Sequence, residues 1–311
     1  MQFKSIALAL AALSAGSAFA QSSVEIYGRL NTSIERQKIN GVSSTDMLNN
    51  ASRIGFRGTE DLGGGLKAGF VLEHGFNSDT GAASGAFWGR QSEVSLGGSF
   101  GTIRLGNYFS ETYFATADYV SMHNHDTGTS SDAFYADTRY FVGSDKISYT
   151  SPSMGGLVVH AAINARDIPG EVDRTVEFAA NYDAGPMHLG AGYQKTGDLN
   201  QFAVRGLYEM GAFTFGGYIQ RDEDVYGPGT RTTFRLAGMY TMGATELHLN
   251  YGRAGDYSDL DDSGASQYTL GLNYNLSKRT KLYTYYSKVS DGAAGIYGDR
   301  SHMAAGVRHN F

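Results

Sequence analysis

Two arginines four residues apart carry the clearest chemical signal in the chain. In Ser52-Arg53-Ile54-Gly55-Phe56-Arg57, apolar Ile54 and Phe56 alternate with the charged positions. An extended segment of this kind puts both guanidiniums on one face and both hydrocarbons on the other. A guanidinium facing hydrocarbon at mid-depth costs about 2–4 kcal/mol, so the charged face must look into water. Fixed cations grouped beside a narrow aqueous path raise the local potential and draw anions. The competing arrangement pairs each arginine with a carboxylate such as Glu25, Glu73 or Glu177.

Other chemistries find less support. His123-Asn124-His125-Asp126 has the composition of a metal or catalytic site, but no third ligand and no serine or cysteine nucleophile accompanies it. Asp256, Asp259, Asp261 and Asp262 lack the glycine and glutamate spacing of a calcium hand. The chain has no cysteine, which excludes disulfides and thiolate chemistry. No enzyme activity, cofactor or resident metal is expected. A formal charge of −6 argues against nucleic acid as a partner.

The elements that position these residues have a period of two. Val24, Ile26, Gly28 and Leu30 alternate with Glu25, Tyr27 and Arg29, and the pattern persists through Met303, Ala305 and Val307. It yields sixteen strands: 22–36, 50–59, 65–76, 87–98, 100–108, 145–151, 156–166, 173–183, 187–196, 200–210, 213–223, 231–241, 245–256, 266–275, 281–290 and 301–311. Strands of about 9–11 residues suit a tilted crossing of the hydrocarbon layer. Short connectors such as Asp183-Ala184-Gly185-Pro186 alternate with longer polar ones such as Gln37–Asn49 and Asp256–Ala265. Turns on one side and loops on the other are the asymmetry of an outer-membrane barrel. A barrel of 16–18 strands encloses an aqueous channel, whereas about eight strands fill their own interior. By alternation Glu93 interrupts the outward apolar face of the fourth strand, so a bulge or a subunit contact is expected there.

Composition agrees. There are 42 Gly but only 4 Pro, and Tyr (21) outnumbers Phe (17) and Trp (1), as suits rings held at a membrane–water boundary. Met1 to Ala20 carries Lys4, an apolar run from Ile6 to Leu13 and a small-residue end at Ala18-Phe19-Ala20. That is the layout of a cleaved secretory signal, leaving 21–311 as a single barrel domain. No other apolar run is long enough for a membrane helix.

One connection does not fit. From Tyr108 to Asp145 more than thirty residues lack alternation yet include Phe109, Tyr113, Phe114, Tyr119, Phe134, Tyr135, Tyr140 and Phe141. So many aromatics need a surface to pack on, and a hollow barrel offers its inner wall. This third external loop is expected to fold inward and narrow the channel. The alternative is an external loop making subunit or lipid contacts.

The segments Ser23–Gly28, Ser52–Ala68 (SRIGFRGTEDLGGGLKA), Phe87-Trp88-Gly89-Arg90-Gln91, Phe100–Gly106, Leu276–Thr280 and Gly306–Phe311 resemble the porin family of beta-proteobacteria, which includes the Neisseria, Bordetella, Comamonas and Burkholderia porins. The resemblance implies an outer-membrane homotrimer among outer-membrane lipids. It also implies passive diffusion of ions and small hydrophilic solutes, often with a preference for anions. It carries constriction arginines onto Arg53, Arg90 and Arg139. Alternation adds Arg57, and Asp118, Asp126 and Asp132 on the inward loop are the opposing charges. A substrate-specific porin, a barrel enzyme and an adhesive barrel are the alternatives.

Overall fold

The computed structural model describes residues 23–120, 122, 133–138, 142–165 and 173–311. The expected signal (1–20), His123 to Asp126, Asp132 and Arg139 lie outside the described residues.

Seventeen strand segments form one antiparallel sheet closed on itself. They are β1 (Ser23–Ile39), β2 (Val42–Asn49), β3 (Arg53–Gly63), β4 (Leu66–Gly75), β5 (Gln91–Gly98), β6 (Gly101–Phe109), β7 (Val142–Thr150), β8 (Leu157–Asn164), β9 (Thr175–Ala184), β10 (Met187–Thr196), β11 (Leu199–Met210), β12 (Phe213–Glu223), β13 (Thr230–Met242), β14 (Thr245–Ala254), β15 (Ala265–Asn275), β16 (Thr280–Asp291) and β17 (Arg300–Asn310). β1 pairs with β17 on one side and with both β2 and β3 on the other, so β2 and β3 are two parts of one strand. The barrel therefore has sixteen crossings, as the alternation predicts. Closure leaves no unpaired edge, which a sheet in lipid requires. Its last residue seals the seam, with backbone hydrogen bonds in both directions between Gly28 and Phe311.

Two expectations need correction. Gln37–Asn49 is not an open loop: β1 and β2 continue as a hairpin that turns only at Asn40-Gly41, both with positive φ. Nearly every side chain there is exposed on both faces, so burial imposes no alternation for the sequence to reveal. Glu93 does not interrupt the outward face either. On β5, Val94 and Leu96 face out while Glu93 turns inward to Arg104 at 2.9 Å. The nearest irregularity lies between Gly106 and Tyr108, on β6.

The outer surface is apolar and ringed by aromatics. Near the turn end stand Tyr182, Tyr208, Phe213, Phe215, Tyr274 and Phe311. Near the loop end stand Phe202, Tyr251, Tyr268 and Tyr286, all exposed. Two such girdles mark the two interfaces of a membrane. Inside, the alternate positions are polar and largely buried, among them Gln194, Gln201, Gln220, Asn250 and Gln267.

Candidate pore constriction

Two walls of the lumen are built differently. The first is formed by β1, β3, β4 and β17, with the loop ahead of β5, and it carries the arginines. A single extra residue sets their direction. Across the break between β2 and β3, Thr32 pairs with Asn49 and Arg29 with Arg53. Three residues therefore face two, with Ala51 at φ 55° taking up the excess. Asn50 and Ser52 point inward, where Asn50 donates to Ser33 Oγ at 2.8 Å and Ser52 Oγ accepts from the Asn31 backbone N–H at 3.0 Å. Strict alternation would then send Arg53 toward lipid. The extra residue switches the parity, so Arg53 and Arg57 face in while Ile54 and Phe56 face out.

Arg53 and Arg90 meet at one carboxylate. Glu73 on β4 lies 3.7 Å from Arg53 and accepts a 2.7 Å hydrogen bond from Arg90 Nε. A Cβ at Gly75 would lie 3.0 Å from Arg90 Cδ, so that glycine leaves room for the arginine chain. The Arg90 guanidinium also sits over the Phe109 ring, 5.3 Å from its centroid. Arg29 and Arg308 complete the group. Arg29 donates to Asn310 at 3.2 Å and senses the charges of Arg53, Arg90 and Arg308. The side chains of Arg53 and Arg90 keep 19% and 22% exposure, enough to reach a passing solute. Alternation already placed Arg29 beside Tyr27 and Glu25. The missing signal was the register that joins the first and last strands.

Arg57 stands apart. Its guanidinium pairs with Glu25 at 2.8 Å and stacks over Tyr27, in the more open part of the lumen. Among the described residues Glu177, the third suggested partner, serves no arginine. It takes Lys146 Nζ at 3.0 Å and the Glu111 backbone N–H at 2.7 Å.

The second wall, β8 to β13, holds the long third loop inside the barrel. After β6 the chain forms helix α1 (Glu111–Thr116), capped by Ser110, whose side chain accepts from the Tyr113 N–H. α1 lies flat on β9 and β10 because two inward positions of β10 are glycine. A Cβ at Gly190 would fall 1.9 Å from the Ala115 carbonyl oxygen, and one at Gly192 2.9 Å from Thr112 Cβ. The returning limb is held by glutamines: Gln220 accepts from the Ala136 N–H and donates to its carbonyl, both at 2.7 Å, and Gln194 accepts from the Thr138 N–H. Tyr113, Tyr135 and Tyr218 pack edge to face beside this seam. Over the described residues the loop is thus folded inward, as its aromatic content predicts.

Asp118 follows α1 and lines a chamber of about 760 Å³ with His160, His188 and Arg205, against the second wall. It is not adjacent to Glu73, so among the described residues the acid closest to Arg53 and Arg90 is Glu73 itself. Arg104 on β6 ties α1 to β5 by reaching both Glu93 at 2.9 Å and Glu111 at 3.4 Å. Asp256, in the acidic loop, caps that loop by accepting from the Gly264 N–H.

A family model described as Gram-negative porin matches residues 7–294. Outer membrane porin protein 32 of Delftia acidovorans is 32% identical, covering 98% of this chain and 99% of its own. An outer membrane porin of Bordetella pertussis is 26% identical over the same shares. Among solved structures, an anion-selective porin from Comamonas acidovorans superposes with a TM-score of 0.77 at 28% identity, covering 94% of this chain and 100% of that one. An outer membrane protein of Vibrio cholerae in trimer form shares the fold, with a TM-score of 0.72 at 17% identity, covering 93% and 99%.

Proposed function

The chain belongs to the Gram-negative porin family, an outer-membrane barrel for passive diffusion, and from that premise we propose that it is an anion-preferring homotrimeric channel. Arg53 and Arg90 form the basic side of its constriction. One observation carries the reading: three guanidiniums, those of Arg29, Arg53 and Arg90, gather around the carboxylate of Glu73, with Arg308 beside Arg29 and Arg53. The surplus is positive and faces water on one side and low-dielectric wall on the other, where a fixed charge acts over a longer range than in bulk solvent. Small hydrated anions exchange part of their water for guanidinium N–H donors and pass on, since among the described residues no donor set encloses them. Arg139 is assigned to the same basic side. Asp118 and Asp132 are the acids that temper it from the loop, and Arg57 is a lumen cation largely neutralised by Glu25. The reading assigns the chain no catalysis, and hydrolase assays are expected to be blank.

The test is a reversal potential in a planar bilayer under a salt gradient. Wild type should favour the anion, and Arg53→Ala, Arg90→Ala and Arg139→Ala should each move the potential toward the cation. Cation preference in wild type, or three unmoved variants, refutes the assignment. A solute-specific channel is the second reading, favoured by the same crowding of guanidiniums, which suits a polyanion better than chloride. One-sided block of single-channel current by a candidate polyanion separates the two.

A further inference from the structure

Outside the pore, cations recur on the outer surface at one height. The ninth residue of β10 is Lys195, of β12 Arg221, of β14 Arg253 and of β16 Lys288. All four are exposed, and each is flanked by inward-facing neighbours: Gln194 and Thr196, Gln220 and Asp222, Gly252 and Ala254, Ser287 and Val289. These strands all start at the turn end, so equal count means equal rise from it.

The ladder confirms the level. Lys195 pairs with Asn200, whose own row reaches Glu223, two residues beyond Arg221. Arg253 pairs with Ser266, whose row reaches Ser290, two residues beyond Lys288. A drop of about one residue per strand is the stagger that a closed, tilted barrel imposes on any level ring.

Aromatic rings sit directly beside or below these cations. Arg221 pairs with Phe202, Arg253 with Phe234 and Lys288 with Tyr268, while Tyr193, Tyr251 and Tyr286 lie two residues nearer the membrane centre. The cations therefore crown the loop-end girdle, at the depth where a charge on the lipid face ceases to be costly. The turn end of the same four strands is different. Its outward positions are Met187 and Leu189, Phe213 and Phe215, Leu247 and Leu249, and Leu282, none basic. General tolerance of charge at an interface would not confine the cations to one end. Glu223 is the one carboxylate on this outward band of the four strands, and it accepts from the Asn200 side chain at 2.8 Å.

We propose that this belt binds the phosphate-bearing headgroups of anionic lipid in the outer leaflet, with the acyl chains lying against the aromatic and aliphatic band beneath. Cations on alternate strands stand roughly 10 Å apart, so one headgroup with two phosphates bridges neighbours. Lysine offers a point charge and arginine a planar fork, and both suit phosphate. The belt is independent of the pore assignment, because none of its side chains enters the lumen.

The test compares bisphosphorylated lipid A with its dephosphorylated form, each added to detergent-solubilised barrel and read by native mass spectrometry. Wild type should retain the phosphorylated lipid in preference. The variant K195Q/R221Q/R253Q/K288Q should retain it at least roughly tenfold less, given what each surface cation adds to binding of anionic lipid. Its binding of the dephosphorylated form and its single-channel conductance should match wild type. The charge-preserving K195R/K288R should bind as wild type does, and R253Q alone should show a partial loss if the quadruple variant fails to fold. Equal retention by wild type and folded variants, or no preference for the phosphorylated form, overturns the proposal.

Discussion

The two walls of the lumen solve opposite problems with the same inward-facing positions. The wall of β1, β3, β4 and β17 leaves its arginines partly wet, and hydrogen bonds to Asn310 and Glu73 hold them without enclosing them. The wall of β8 to β13 is dry where the third loop lies on it. Its polar side chains are spent on the third loop, and Gln194, Gln201 and Gln220 are almost wholly buried beneath it. Charge is useful where water remains, and uncharged amides serve better where water has been displaced, because an unpaired buried charge is far costlier than an unpaired amide. One wall therefore interacts with solutes and the other fixes the width that the first wall acts across.

The largest expected effect comes from breaking a buried ion pair at the edge of the dry wall, between β7 and β9. Lys146 and Glu177 are 0% and 3% exposed, and Glu177 also caps the start of α1. Lys146→Met strands the carboxylate and should cost about 3–5 kcal/mol. The temperature at which the barrel loses its heat-modified mobility in detergent gels should fall, and an unchanged midpoint would show that water reaches the site. Next comes Gly190→Val. With a Cβ aimed at the Ala115 carbonyl, α1 must lift off, at about 1–3 kcal/mol for the overpacking. The readout is current noise and protease cleavage within the third loop, both expected to rise. A quiet, resistant channel would mean that α1 finds another seat.

On the wet wall the effects are on selectivity rather than stability. The double variant Arg53→Ala/Arg90→Ala removes the two guanidiniums paired with Glu73 and should cut the anion-to-cation permeability ratio several-fold, by the loss of focused potential. Glu73→Gln should move the ratio the other way. If both variants moved it the same way, the wall would be acting through shape and not through charge.

Most of the barrel was legible because lipid outside and water inside enforce alternation. The strand at 187–196 agrees with β10 to the residue, and that at 213–223 with β12. β2 escaped because neither of its faces is buried, so its pattern carries no constraint. The site was half legible. Arg53 and Arg57 were placed inward by Ile54 and Phe56, yet the device that turns them, the extra residue at Ala51, leaves no mark in composition. Arg29 and Arg308 come together only through pairing of the first and last strands, a contact spanning nearly the whole chain. Gly190 and Gly192 read as ordinary strand glycines until something lies on them.

The smallest effect separates position from charge within the wet wall. Arg57 faces the same lumen as Arg53, four residues nearer the turn end, but its partner Glu25 is 58% exposed and the pair is open to solvent. Exposed pairs of this kind contribute about 0–1 kcal/mol and are screened by salt. Arg57→Ala should therefore leave the thermal midpoint unchanged and shift the reversal potential only slightly, with the shift fading as salt is raised. The arginine group at Glu73 should keep its selectivity over the same salt range better, because the nearby wall limits screening. If Arg57→Ala instead matched Arg53→Ala, selectivity would be set along the whole lumen by summed charge, and the constriction would hold no special place in it.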